Sequence, residues 1–129
     1  MGLNMSIQIM VIEDEELLLK AIVKKLTIHN FETISCTSAE QALDYMESLE
    51  KNPDAIWLDY HLKGMNGLEF IEKVKENTKW ANIPIVVVSN SAGDETVKTV
   101  LALGADKYLL KAKYKLEDVI AIVQELIKK

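Results

Sequence analysis

Four short stretches of the chain end an apolar run in a side chain that can do chemistry. Val11-Ile12 leads into Glu13-Asp14, with Glu15 and Glu16 just beyond; Ile56-Trp57-Leu58 ends in Asp59, Val86-Val87-Val88 in Ser89, and Leu109-Leu110 in Lys111. Carboxylates gathered in one place repel one another and need a cation to stay ionised together. The donors on offer are all oxygens, which suits Mg²⁺ or Mn²⁺, hard ions bound by a few carboxylates and phosphate oxygens. Glu13-Asp14-Glu15-Glu16 is the reverse of a phosphate-cradling loop, which offers glycines and backbone N–H groups at a helix start. With no G-x-G-x-x-G and no Walker A sequence, dinucleotide and flavin binding fall away. Phosphate then has to arrive beside a metal. Asp59 is placed to attack phosphorus and become an aspartyl phosphate. A metal held by Asp14, Asp59 and a backbone carbonyl would neutralise nucleophile and phosphoryl oxygens, leaving the other oxygens to Lys111 and the Ser89 hydroxyl.

These groups meet only if the segments that carry them lie side by side. Strand-like runs and amphipathic helices alternate from end to end. Ile7 to Ile12 reads as a buried strand, and Glu15 to His29 as a helix with Leu17, Leu18, Ala21, Ile22 and Leu26 on one stripe. Thr33 to Thr37 is a short strand, after which Ser38 is an N-cap, with Gln41 in capping-box position, for a helix reaching Glu50. Asn52-Pro53-Asp54 turns the chain into a third strand, Ala55 to Asp59. A loop bearing Gly64 and Gly67 leads to a helix from Leu68 to Asn77, and Pro84 to Ser89 is the most β-prone run. A helix from Glu95 stops at Gly104, a C′ glycine; Lys107 to Leu110 is the fifth strand, and the fifth helix runs from Leu116 to the end.

Five such units, with strands apolar on both faces, predict an α/β fold with a parallel sheet covered by helices on both sides. Right-handed crossovers and this length favour a doubly wound, flavodoxin-like (βα)5 sheet in the order 2-1-3-4-5 over a barrel, which needs eight units. In that architecture ligands bind at the C-terminal strand ends, where all four chemical stretches lie.

Composition agrees with one compact domain: 129 residues, 49% hydrophobic. The net charge of −5 is a poor basis for nucleic-acid binding, and all fifteen basic residues are Lys, so bidentate guanidinium recognition is absent. Cys36 stands alone, which excludes an internal disulfide or a Cys-based metal cluster. No apolar run reaches membrane-spanning length, and a cytoplasmic location is expected. Residues 1–6 read as an unstructured or added N-terminal stretch and 7–129 as the domain; Gly2 with Ser6 also fits a short acylation pattern, weakly.

Taken in order, Val11-Ile12-Glu13-Asp14-Glu15, Leu58-Asp59-Tyr60-His61-Leu62 with Gly67, Ile85 to Ser89, and Gly104-Ala105-Asp106-Lys107-Tyr108-Leu109-Leu110-Lys111 resemble the receiver domains of two-component response regulators. The similarity runs from Ile7 to the last helix. It implies that Asp59 is the phosphoacceptor, that Glu13 and Asp14 are the acid pair, and that the backbone carbonyl of His61 completes a Mg²⁺ site. It also implies that Ser89 and Lys111 contact the phosphoryl group and that Tyr108 changes rotamer on activation. The expected donor is a histidine kinase or histidine phosphotransfer protein. The expected output is altered binding of an effector at the face of the fourth helix, fifth strand and fifth helix. On this reading the domain turns over no other substrate and catalyses only its own phosphorylation and dephosphorylation. The source is expected to be bacterial, and the chain either a stand-alone receiver or part of a larger regulator or hybrid kinase.

Three positions depart from the family pattern. Ala112 and Lys63 stand where proline is common, and Asn90 where a small residue is usual. A cis bond before a non-proline costs ~3 kcal/mol, so the resemblance leaves the Lys111–Ala112 bond open. Blander readings exist for single residues: Asp14 as a helix cap, Tyr108 as packing, Trp57 as core. A receiver-like module that is never phosphorylated, or a small-molecule phosphatase, accounts for less of the set.

Overall fold

A computed structural model describes residues 6–128 of the chain. Expectations for residues 1–5, including the acylation pattern, lie outside the described residues. The strands are β1 (Gln8–Ile12), β2 (Glu32–Cys36), β3 (Ala55–Asp59), β4 (Ile85–Ser89) and β5 (Lys107–Leu110). The helices are α1 (Glu16–Ile28), α2 (Ala39–Ser48), α3 (Gly67–Glu76), α4 (Asp94–Leu103) and α5 (Leu116–Lys128). All neighbouring strands pair in parallel, in the order β2-β1-β3-β4-β5. That is the doubly wound sheet expected, with element ends within about two residues of those read from the sequence.

Strand alternation divides the core into two layers. Met10, Ile12, Ile56, Leu58, Ile85 and Val87 face one side and pack with Phe70, Ile71 and Val74 of α3 and Val100 of α4. Ile9, Val11, Trp57, Val86, Val88 and Leu109 face the other and pack with Ile22 and Leu26 of α1 and Val119 and Val123 of α5. β1, β3 and β4 are apolar on both faces as predicted, but β2 and β5 are not: both are edge strands and stay half exposed. An edge strand has one neighbour and less helix cover, so its outer positions tolerate Glu32 and Lys107.

Local signals explain where the helices begin and end. The Ser38 hydroxyl accepts from the Gln41 amide at 3.0 Å, while the Gln41 side chain accepts from the Thr37 amide rather than that of Ser38. Asn66 and Glu69 form a full reciprocal capping box at the start of α3. Gly104 ends α4 at φ +118°, as its position suggested. Among the described residues no peptide bond is cis, so Lys111–Ala112 is trans, and Lys111–Lys113 forms a 3-10 turn that the sequence did not announce. Cys36 is buried at the end of β2, and burial pushes its thiol up to about 12, so it is no nucleophile at neutral pH. No described helix is long and apolar enough to cross a membrane.

Candidate functional site

The same alternation that builds the core also aims the site. Glu13, Asp59 and Lys111 each follow by two positions a residue of the α1/α5 layer: Val11, Trp57 and Leu109. They therefore point to one side of the sheet at its C-terminal end. Glu13 lies one step beyond the last β1–β3 pair, Ile12 with Leu58. Asp59 pairs with Val88, and Ser89 with Leu110, so the next residues along are brought level.

Among the described residues, three polar side chains are buried, Glu13, Asp59 and Ser89, and all lie at C-terminal strand ends. Carboxylate oxygens of Glu13, Asp14 and Asp59 lie within 4.8 Å of one another. Lys111 Nζ sits between two of them, 3.1 Å from Glu13 Oε1 and 3.5 Å from Asp59 Oδ1. The amide of Glu15 donates to Glu13 Oε2 at 3.1 Å, and that of Lys63 to Asp14 Oδ2 at 3.2 Å. Asp14 is thus not an N-cap; Glu15 holds that place and makes no side-chain cap.

One ammonium faces three carboxylates, and the titration directions follow. Burial raises the pKa of Glu13 above the usual carboxylate range, with the charge of Asp59 adding to it. Burial likewise raises Asp59, against the opposing pull of Lys111. For Lys111 burial alone would lower the pKa, but Asp59 and Glu13 together raise it, so the ammonium stays charged. Such an under-neutralised, all-oxygen set suits a hard divalent cation. Carboxylate oxygens this close together could hold one such cation, which would offset their mutual repulsion. The residues present fit the metal.

Ser91 joins the outer elements of the site, and nothing in the sequence pattern marked it. Its hydroxyl lies 3.0 Å from His61 Nε2, and its carbonyl accepts from the Tyr108 hydroxyl at 2.7 Å. Its amide donates to Ser89 Oγ at 3.3 Å. One residue of the β4–α4 loop therefore touches the loop after Asp59, the strand that leads to Lys111, and Ser89 itself. Tyr108 is half-buried and also lies against Tyr60, with ring centroids 6.1 Å apart. The His61 side chain is exposed and Trp57 is core, as expected.

Gly67 shows how tightly the loop after Asp59 is drawn in. Its amide donates to the Tyr60 carbonyl at 3.1 Å, and a Cβ there would stand 3.0 Å from Tyr60 Cα. Gly67→Ala is expected to cost about 1–3 kcal/mol in a urea melt, the range for overpacking against backbone that cannot step aside. A loss below a few tenths of a kcal/mol would show the loop to be looser than this contact requires.

Residues 9–124 match the response regulator receiver domain. The nitrate/nitrite response regulator protein NarL of Escherichia coli (strain K12) is 36% identical over 105 residues, covering 80% of this chain and 47% of that protein. The chain thus spans about half the length of that relative. A chemotaxis protein CheY homolog of Campylobacter jejuni is 31% identical over 121 residues, covering 88% of this chain and 92% of that protein. Among solved structures, the receiver domain of the Francisella response regulator 1452 superposes with a TM-score of 0.85 at 21% identity, over 95% of this chain and 98% of that one. The BeF3-activated DrrB receiver domain gives 0.83 at 23%, over 97% and 100%. At those identities the structures speak for the fold alone. The match across nearly the whole folded chain speaks for more: the protein belongs to the response regulator receiver domains, the phosphorylation-dependent switches of two-component signalling rather than metabolic enzymes.

Proposed function

We propose that Asp59 is the phosphoacceptor, that Glu13, Asp14, Asp59 and the main-chain carbonyl of His61 hold Mg²⁺, and that Ser89 and Lys111 take the phosphoryl oxygens. The observation that carries this reading is the convergence of the buried carboxylates Glu13 and Asp59 with Lys111 at one strand end, with the buried Ser89 ending the neighbouring strand. An Asp59 oxygen attacks phosphorus in line. The P–O bond to Asp59 forms as the P–N bond of a phosphohistidine breaks, and the imidazole leaves with that electron pair. Bound Mg²⁺ supplies charge neutralisation to the phosphoryl oxygens. Lys111 Nζ, already 3.5 Å from Asp59, swings from Glu13 towards an incoming oxygen. The Ser89 hydroxyl accepts from Ser91 and keeps its own proton to donate. Hydrolysis uses the same groups with water as nucleophile, so the domain acts enzymatically only on itself.

The donor is a histidine kinase or histidine phosphotransfer protein of the cytoplasm. Movement of Ser89 towards the phosphoryl group shifts Ser91, and with it the Tyr108 hydroxyl that Ser91 holds. The face of α4, β5 and α5 then changes its affinity for an effector by a shift between two conformations.

Intact mass after incubation with acetyl phosphate and Mg²⁺ tests this. One phosphoryl group should be gained, should map to the peptide containing Asp59, and should be lost with EDTA. No gain, together with no fluorescence response of the Trp57 region to Mg²⁺ or beryllofluoride, would replace the switch with an unphosphorylated binding module.

A further inference from the structure

The loop from Tyr60 to Asn66 carries the His61 carbonyl proposed above as a ligand and the Lys63 amide that donates to Asp14, and has no regular structure. Lys63 leaves a free φ where a proline ring would have fixed it. Gly64 next to it is left-handed, at φ +75°. The two amides flanking Gly64 are each held by a carboxylate from another element. Lys63 N–H donates to Asp14, and Met65 N–H donates at 3.0 Å to Glu40 Oε2 in the first turn of α2. Glu40 is also seated against the glycine itself, since a Cβ on Gly64 would stand 2.7 Å from Glu40 Oε2.

We propose that Glu40 is a positioning residue for the phosphoacceptor site. It clamps Met65 so that the Lys63 amide fixes Asp14 and the His61 carbonyl is presented to the cation; this rests on the Mg²⁺-dependent reading above. The path is short. Glu40 fixes the Met65 amide and with it the Gly64–Met65 peptide plane; the Lys63 amide lies two planes earlier, across the left-handed Gly64 and Lys63, and is held at its own end by Asp14. With one Asp14 oxygen tied to Lys63, the carboxylate cannot turn freely, and its other oxygen stays available to a metal. Outer hydrogen bonds that aim ligands commonly set metal affinity in this way. The bond needs an acceptor at Glu40, not a charge, so glutamine can replace it and alanine cannot.

The experiment compares wild type, Glu40→Ala and Glu40→Gln by amide hydrogen exchange without metal and by Mg²⁺ titration of backbone amide shifts. In Glu40→Ala the Met65 amide should exchange about ten-fold faster and Mg²⁺ should bind about ten-fold more weakly, the low end for a lost outer-shell bond. Far-UV circular dichroism should be unchanged, and Glu40→Gln should stay within about two-fold of wild type in both readings. Unchanged Met65 exchange in Glu40→Ala would overturn the clamp. Faster exchange with unchanged Mg²⁺ affinity would overturn the positioning role, as would equal weakening by alanine and glutamine, which would point to charge alone. A wild type blind to Mg²⁺ would remove the underlying reading of the site, and Met65 exchange would still report separately on the clamp.

Discussion

Asp59→Asn is expected to end phosphoryl uptake and, at the same time, to make the metal-free protein more stable. The first effect follows from removing the attacking oxygen, which an amide does not replace. The second follows from burial, which holds the Asp59 pKa above its ordinary value despite Lys111. A carboxyl whose folded pKa exceeds its unfolded one binds more protons in the folded state. Its charge therefore lowers stability as pH rises from about 4 through the folded value, and the loss persists at neutrality. Asn removes that loss and also relieves Glu13 of a like charge, while Lys111 keeps Glu13 as a partner. In EDTA at pH 7 the variant should therefore melt at a higher temperature than wild type. The difference should shrink as pH falls through the raised folded pKa and be gone below about pH 4, where the carboxyl is protonated in folded and unfolded chains alike. A variant that melts lower than wild type at pH 7 would mean that the Lys111 pairing outweighs burial, contrary to the direction argued here.

Lys111→Met should act in the opposite sense on stability and the same sense on chemistry. Methionine keeps the stem of the side chain but leaves Glu13 and Asp59, with Asp14 beside them, without the ammonium that Glu13 and Asp59 share. Breaking a well-buried ion pair costs about 3–5 kcal/mol. Lys111 retains 21% side-chain exposure, so about 2 kcal/mol is the expectation here. Acid should rescue the variant, because protonating the carboxylates removes the repulsion, and Mg²⁺ should rescue it at neutral pH. Uptake from acetyl phosphate should fall about 100-fold, the scale for losing one electrostatic contact to a transferring group. Urea melts at two pH values and a time course of intact mass would measure both. Unchanged uptake would remove Lys111 from the phosphoryl contacts.

The positions of Glu13, Asp59, Ser89 and Lys111 were legible in the sequence because each terminates an apolar run. A parallel sheet brings such ends together whatever the loops do. Trp57 as core and Ser38 and Gly104 as helix boundaries were legible because period and capping chemistry are local. The half-exposed β2 was not, since Thr33, Ile34 and Ser35 look alike in an edge strand and a covered one. Ser91 and Glu40 were invisible for another reason. Their roles lie in bonds to partners on other elements: His61, thirty residues away, and Met65, twenty-five away. No periodicity encodes a distance between two loops. The Lys111–Lys113 turn likewise had no residue to announce it once proline was absent from position 112.

The Lys111–Glu13 bond joins residues 98 positions apart, nearly the two ends of the folded chain, and Asp59 lies between them. Asp59 ends β3, but its counter-ion arrives only after the last strand. A chain still being synthesised, or one nicked before β5, holds an acidic cluster without its ammonium. With Asp59 as the proposed phosphoacceptor, uptake by such a copy should fall as it does in Lys111→Met, so completion of the fold doubles as a filter on which copies receive the signal.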